Sequence, residues 1–294
     1  EVGKPAHEKI VSSSTDIGYT LFSPDSAGLF VPFKPIRRGI LAEAQQLRPL
    51  LHNILSDATV GNAKSMPVFL SVPPFAPLKH KESCANLLLE IFATESFFFG
   101  SSGVLALYGL GKTEGMLVES GGGVTHVTAM LRGYHVQEGA TKVNFGGEDI
   151  THYLAHLLKA RGLSFRSANE FAIFEEIKRK FVEVKEGGVS LTTATSESYA
   201  LPDGRHIQIG AEVFQAGEAL FNPRLIGKNI VGIQELIANF LESLDMQTRR
   251  YLLENVYLSG GATQMAGFDQ RLQKEISQKY PHHKNLSLDK YTGD

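Results

Sequence analysis

Two glycine clusters in this sequence have the composition of loops that bind phosphate. The first is Glu119–Gly123 and the second is Ser259–Thr263, and each follows a short apolar run. Because glycine lacks a Cβ atom, the backbone can turn sharply, approach a ligand closely and direct N–H groups at phosphate oxygens. Neither cluster matches the P-loop or the dinucleotide-binding fingerprint. Taken alone, each is more often an ordinary hairpin or strand-to-helix turn.

The elements around the two clusters predict where the loops begin and end. Met116–Val118 is a short apolar run, Gly121–Gly123 is a sharp turn, and Val124–Leu131 alternates toward a second strand. This pattern predicts a β-hairpin whose turn has no side chains on three successive residues. The second cluster follows the apolar run Val256–Leu258 and precedes a helix whose apolar side includes Phe268.

Helical and extended patterns are mixed along the rest of the chain. Helical spacing of apolar residues predicts helices over Ala42–Leu55, Lys79–Thr94, Asp149–Ala160, Glu170–Phe181 and Ile233–Leu244. Met66–Val72 is predicted to be a buried strand, and a second strand begins at Phe97 and is broken at Gly100. A tight turn between two strands is predicted at Leu201–Gly204. The mixture favours an α/β architecture.

Composition excludes several classes of protein. The 294 residues are 43% hydrophobic and 20% charged, which is typical of a globular protein, and the formal charge of -2 gives no reason to expect nucleic acid as a partner. The single cysteine, Cys84, excludes an intramolecular disulfide and is predicted to be a buried, inert thiol. No apolar run is long enough to span a bilayer, so we expect no membrane partner.

The residues around the first cluster closely resemble the central segment of actin. Val104–Gly115 and Glu119–His126 match family segments that read Val-Leu-Ser-Leu-Tyr, Gly-Arg-Thr-Thr-Gly and Asp-Ser-Gly-Asp-Gly-Val-Thr-His. Further similar segments are Gly147–Thr151, Arg161–Phe165, Ser198–Gly204, Glu218–Pro223 and Leu258–Thr263. The similarity stays in register from about Val104 to Gly267. The chain is therefore identified as a divergent member of the actin family.

The resemblance implies an α/β fold of two lobes with ribonuclease-H-like cores and a nucleotide cleft between them. Residues 1–108 would form a partial first lobe with a loop insertion. Ser12–Leu29 would stand where the family has a long mobile loop used in filament contacts, with little matching sequence and an apparent shortening. Residues 109–294 would form the second lobe, with a small subdomain over approximately 148–230. The family's first phosphate-binding hairpin would lie before Glu1 and the closing segment of the first lobe after Asp294, so we expect a longer chain at both ends.

The resemblance also implies a site for ATP or ADP with Mg²⁺. The cofactor-binding residues would be Gly121, Gly122, Gly123, Lys178, Gly260, Gly261 and Ala262. His126 would arrange the attacking water, and Glu119 would act indirectly on the metal through its hydration shell. Each assignment has a simpler alternative: a hydrogen-bonded strand histidine for His126, a solvated turn carboxylate for Glu119, and a surface ion pair with Glu175 for Lys178.

Departures from the family pattern occur where ATP hydrolysis takes place. The glutamine that would orient water is Ser102, and the second aspartate of the hairpin is Gly122. Beside Lys178, the expected glutamate is Arg179, and an arginine one turn earlier is Glu175. Because hydrolysis needs an oriented water and preorganised charge stabilisation, we expect residual ATPase activity at best.

These observations lead to a structural subunit of a cytoskeletal or other multiprotein assembly as the first hypothesis. The expected partners are actin, other actin-related proteins and further subunits of the complex. Alternatives are a filament-forming ATPase, a chromatin-remodelling subunit, and a sugar-kinase or chaperone relative that shares only the two-lobed fold. The expected location is cytoplasmic and cytoskeletal, and a nuclear location is left open.

Overall fold

A computed structural model describes most of the chain. The described residues are 2–5, 30–55, 66–163, 168–188, 197–201, 204–283 and 286–290. The chain divides into two compact units. Unit 1 comprises Glu1–Ser102 and Ser167–Ala172, and unit 2 comprises Gly103–Arg166 and Ile173–Asp294. The lobe boundary expected between residues 108 and 109 stays a prediction.

Unit 1 is built from paired strands and short helices. Its elements are β1 (Val2–Pro5), β2 (Phe30–Phe33), β3 (Ile36–Arg37), β4 (Ile40–Leu41), α1 (Ala44–Leu55), β5 (Pro67–Val72), α2 (Leu78–Asn86) and β6 (Ser96–Ser101). β1 pairs with β2 and β3 with β4 in antiparallel fashion, whereas β5 and β6 are parallel. One π-helical turn, Leu87–Ile91, extends α2. The two helices predicted in this part of the chain are confirmed, with ends shifted by a few residues.

Strand β6 continues through Gly100, where the sequence predicts a break. Gly100 pairs with Ser71 of β5 and is buried. Residues on both sides of Gly100 also pair with β5, so the hydrogen bonds between the two strands outweigh the low strand propensity of glycine. The predicted break is wrong, whereas the strand predicted over Met66–Val72 is confirmed as β5. Its predicted burial is wrong, because Phe69 is 56% exposed and only Val72 of this strand is buried.

Cys84 lies on α2 with its side chain buried, as predicted. Burial raises the pKa of its thiol, which keeps the group protonated at neutral pH. Its Sγ lies 4.0 Å from Nε2 of His80, another buried residue of the same helix. This environment fits the inert thiol expected from the sequence.

Unit 2 contains a larger sheet surrounded by helices. Its strands are β7 (Gly115–Ser120), β8 (Thr125–Leu131), β9 (Tyr134–Val143), β10 (Glu197–Ala200), β11 (His206–Ile209), β12 (Val256–Ser259) and β13 (Leu288–Lys290). Its helices are α3 (Ser102–Gly109), α4 (Gly147–Lys159), α5 (Ala168–Phe181), α6 (Glu212–Glu218), α7 (Ile233–Glu242), α8 (Met246–Leu253) and α9 (Phe268–Lys279), of which α3 and α5 begin at residues of unit 1. Short 3-10 helices span Pro223–Ile226 and Gly261–Gln264.

The five-stranded sheet of unit 2 has the order β13-β12-β7-β8-β9. β7, β8 and β9 are antiparallel neighbours, while β12 is parallel to both β7 and β13. Met116–Val118 of β7 and Val256–Leu258 of β12 are buried, which is the pattern of central strands covered on both faces. Helix α7 packs against β8 and β9, and α8 packs against β7. The hairpin predicted from the sequence is confirmed as β7 and β8.

The predicted helices of unit 2 are also confirmed, with small shifts at their ends. Helix α4 begins at Gly147 rather than Asp149, and α7 ends at Glu242 rather than Leu244. Residues 202 and 203 of the predicted turn, and the stretch Ser12–Leu29 that replaces the family's long loop, lie outside the described residues. In the described part of the chain, no helix has the length and apolar character needed to cross a bilayer.

Candidate functional site

The sheet of unit 2 brings the two glycine clusters side by side. In the parallel pair formed by β7 and β12, Glu119 is paired with Ser259, so both glycine loops leave the same edge of the sheet. Gly260 has a φ of +90°, and a Cβ atom on it would lie 2.4 Å from the carbonyl oxygen of Ser120. Only glycine fits this contact. The first loop therefore lies directly against the second.

The start of helix α4 holds the first glycine loop in place. The N–H of Gly147 donates to the carbonyl of Gly121 at 2.9 Å, and the N–H of Glu148 donates to that of Gly122 at 2.7 Å. A Cβ atom on Gly146 would lie 2.5 Å from the Gly121 carbonyl oxygen. Two N–H groups at a helix start, which lack partners within the helix, are satisfied in this way.

Two buried hydroxyl groups fix the base of the same loop. The Oγ of Ser120 and the Oγ1 of Thr125 lie 2.8 Å apart, and Thr125 also donates to the carbonyl of Phe145 at 2.8 Å. Ser120 ends β7, Thr125 begins β8, and Phe145 precedes the glycine pair at the start of α4. The loop is therefore closed at its base as well as held at its tip.

The backbone amides of the two loops differ in whether they are already bonded. The N–H of Gly121 donates to the carbonyl of Val124 at 3.0 Å, so it is used inside the turn. The N–H groups of Gly122, Gly261 and Ala262 have no acceptor within the part of the chain that the structure describes. These three groups are the donors that the site offers to an anion.

Lys178 of α5 lies beside the contact between the loop and α4. Its Nζ donates to the carbonyl of Gly147 at 3.0 Å and to Oγ1 of Thr151 at 2.9 Å, and it forms a 2.7 Å ion pair with Glu175. The predicted pair with Glu175 is confirmed, but its predicted surface position is wrong, because only 14% of the lysine side chain is exposed. All three N–H groups of the ammonium therefore have acceptors.

His126 and Glu119 face each other across the hairpin. They are paired residues of β8 and β7, and Nε2 of His126 lies 3.1 Å from Oε2 of Glu119. The distance is that of an ion pair, but the alignment does not make a hydrogen bond, so Nε2 is buried without one. The turn position expected for Glu119 is wrong, because the residue lies in β7. His126 is a buried strand residue, as its simpler alternative predicts, and the hydrogen bond in that alternative stays a prediction.

Several predicted site residues surround Gly146 and Gly147. A Cβ atom on Gly147 would lie 3.3 Å from Nζ of Lys178, 3.6 Å from the carbonyl oxygen of Gly121 and 3.9 Å from Cβ of Ala262. Ala262 is itself buried. The site interpretation of the sequence did not include Gly146 and Gly147, although a glycine pair directly before a helical pattern was the available signal.

The composition of the site suits a phosphate group better than a metal bound directly by side chains. Gly122 and Gly261 have open space where a Cβ would stand, and their N–H groups have no acceptor among the described residues. In the described part of the chain, no group of three or more His, Cys, Asp or Glu residues is arranged to hold a metal ion. A divalent cation here would keep most of its waters and bind through phosphate oxygens, as Mg²⁺ commonly does.

Comparison with known proteins identifies the family. A model of the actin family matches residues 1–290. Actin-related protein 2 of Acanthamoeba castellanii is 32% identical over 252 residues, which cover 84% of this chain and 65% of that relative. The actin-like α/β fold expected from the resemblance is confirmed by the family match. The chain belongs to the actin family, as a divergent actin-related protein.

Proposed function

We propose that this protein is a structural subunit of a cytoskeletal assembly that binds ATP or ADP with Mg²⁺ and turns over slowly or not at all. The observation that carries the proposal is the contact between two glycine loops, with three N–H groups that have no acceptor in the described part of the chain. Such an arrangement suits the phosphates of a nucleotide. Membership of the actin family supports the same ligand.

In this proposal each loop contributes backbone donors. Gly122 would donate from the hairpin, and Gly261 and Ala262 would donate from the strand-to-helix loop. Glu119, with 24% of its side chain exposed, would orient water in the hydration shell of the cation. The bound Mg²⁺ would neutralise phosphate charge.

Weak electrostatic attraction is expected from the lysine of the site. Lys178 contributes a positive charge, but Glu175 lies 2.7 Å away and offsets it. The ammonium can donate to a ligand only if one of its three present acceptors moves away. Affinity should therefore depend mainly on the backbone donors.

Slow turnover follows from the residues that replace those of the actin pattern. Ser102 is too short to hold a water where the family has glutamine, and Gly122 has no carboxylate to support the hydrated cation. His126 is buried with its Nε2 against Glu119. The site therefore lacks one group that orients the attacking water and one that supports the cation.

The proposed partners are actin, other actin-related proteins and further subunits of the same assembly. The similarity to Actin-related protein 2 supports this class of partner and a cytoskeletal location in the cytoplasm. The match to the family over residues 1–290 supports a role in assembly rather than a new chemistry.

Replacing Gly261 by valine should abolish nucleotide binding without unfolding the protein. Gly261 has no heavy atom within 4 Å of its Cβ position and no positive φ, so the new side chain fits the protein but fills the space beside the amide. Calorimetric titration of Mg-ADP into the full-length protein would measure the affinity. We expect a loss of at least about a hundredfold, as for a ligand excluded from a preformed site.

Gly187→Val is the matched control. Gly187 also has open space at its Cβ position and no positive φ, and it lies in a turn that belongs to neither glycine loop. This variant should bind Mg-ADP as the wild type does. Unchanged affinity in Gly261→Val would place the nucleotide elsewhere and refute the proposed site.

A further inference from the structure

A buried carboxylate connects the first glycine loop to a distant part of unit 2. Asp149, the third residue of α4, is only 6% exposed. Its Oδ2 accepts from the N–H of Gly146 at 3.0 Å, and its Oδ1 lies 3.0 Å from Nζ of Lys228. Because a buried carboxylate is costly without a counter-charge, the position of Lys228 affects the position of Asp149.

Asp149 in turn controls the backbone that holds the glycine loop. It caps Gly146, and Gly146 packs so tightly on the loop that a Cβ atom would meet the carbonyl oxygens of Gly121 and Gly122 at 2.5 and 2.8 Å. The next two N–H groups of the chain donate to those same carbonyls. A shift of Asp149 is therefore transmitted to the peptide groups of Gly121 and Gly122.

Lys228 belongs to a surface segment that follows a 3-10 helix. We name residues 223–232 the 223–232 segment. It contains the 3-10 helix Pro223–Ile226, the left-handed Gly227 and the exposed Leu225. The N–H of Lys228 donates to the carbonyl of Pro223 at 3.2 Å, which ties its backbone to the helix. Its side chain reaches the buried Asp149, with Nζ 5.8 Å from the centre of the Phe145 ring. One residue thus connects an exposed segment with the interior beside the site.

We infer that Lys228 is a positioning residue that couples nucleotide occupancy of the glycine loops to the conformation of the 223–232 segment. This inference rests on the nucleotide site proposed above. Nucleotide binding restricts the positions of the Gly121 and Gly122 peptide groups. Through the contacts of Gly146 and Asp149, it also restricts the position of Lys228. Coupling between two sites is reciprocal. If nucleotide shifts the conformational equilibrium of the 223–232 segment by some factor, then a shift of that segment changes the nucleotide affinity by the same factor.

The test is Lys228→Met, which keeps the length of the side chain and removes its charge. We expect the affinity of the full-length protein for Mg-ADP to fall about fivefold, the lower end of typical coupling between sites. Hydrogen exchange provides a second readout: Mg-ADP should slow exchange of residues 226–232 in the wild type and not in the variant. Lys228→Arg should restore both effects, because arginine also pairs with a carboxylate.

Lys185→Met is the matched control, since Lys185 also has an ion pair and an aromatic neighbour. Its Nζ lies 3.0 Å from Glu183 and 4.1 Å from the centre of the Phe214 ring, and its contacts among the described residues do not include Asp149. Its loss should leave both readouts unchanged. If Lys228 acts through Asp149, then Lys228→Met should add no further loss of affinity to Asp149→Asn.

The outcomes separate this inference from the proposed function. If the wild type binds Mg-ADP and Lys228→Met binds it equally well, the coupling is refuted while the nucleotide site stands. Independent, multiplying losses in the double variant would also refute it, because the lysine would then act by another route. If the wild type binds no nucleotide, the proposed function is refuted and the coupling with it.

Discussion

The double substitution Ser102→Gln with Gly122→Asp should raise the rate of ATP hydrolysis by about a hundredfold, the effect of one oriented group in a preorganised site. The actin pattern has glutamine and aspartate at these positions. An aspartate fits at Gly122, where no heavy atom lies within 4 Å of the Cβ position and φ is not positive. Acid quenching of a single turnover, with measurement of the total phosphate formed, would report the chemical step without interference from slow product release.

Gly109→Asp is a control for added negative charge, because Gly109 has similar open space at the end of α3. Paired with Ser102→Gln, it should give a smaller increase than Gly122→Asp does, because the carboxylate that would support the hydrated cation is still missing. A wild-type rate equal to that of actin would contradict the slow-turnover proposal. If the double variant gains nothing, these two residues do not limit the reaction, and another part of the site does.

Gly260→Ala should lower the free energy of unfolding by about 3 kcal/mol, combining backbone strain at a positive φ with overpacking. Gly260 has φ +90°, and its Cβ would lie 2.4 Å from the carbonyl oxygen and 2.6 Å from the carbonyl carbon of Ser120. Both atoms are backbone, so they cannot move aside as a flexible side chain would. Relief requires separating the two glycine loops, and therefore part of the parallel pair of β7 and β12.

The adjacent glycine supplies the comparison for this prediction. Gly261→Ala should change the free energy of unfolding by less than about 0.5 kcal/mol, as is usual for surface positions with open space. Urea denaturation of both variants would measure the difference. Equal stability of the two variants would show that the two loops are not in close contact.

Local sequence patterns predicted the elements of the site well. The apolar run Met116–Val118, three glycines and an alternating segment were enough to predict the hairpin that the structure contains. The break predicted at Gly100 failed because the propensity of one residue is weaker than pairing along a whole strand. Propensity is a property of the residue, whereas pairing depends on a strand almost thirty residues away.

The assembly of the site could not be read from local pattern. Pairing of Val256–Ser259 with Met116–Glu119 joins segments far apart in sequence, and no periodicity reports it. The resemblance to actin supplied that relation instead. Helical spacing predicted the pair of Lys178 and Glu175, but it could not show that the lysine is buried under α4.

The roles of Gly146 and Asp149 illustrate the same limit. Each has an ordinary local explanation, a loop glycine and an acidic residue in the first turn of a helix. Their significance arises from the close contact of Gly146 with Gly121 and from the ion pair with Lys228. Both contacts are set by packing between elements rather than by spacing within one.

A structure of the full-length protein with Mg²⁺ and ADP would show directly whether the glycine loops bind the nucleotide. Phosphate oxygens should lie about 3 Å from the backbone nitrogens of Gly122 and Gly261, the usual distance of an N–H···O hydrogen bond. Lys178 should keep its contact with the carbonyl of Gly147 beside the bound nucleotide. Ordered ADP bound away from both glycine loops, or no ADP at millimolar concentration, would contradict the proposed nucleotide site.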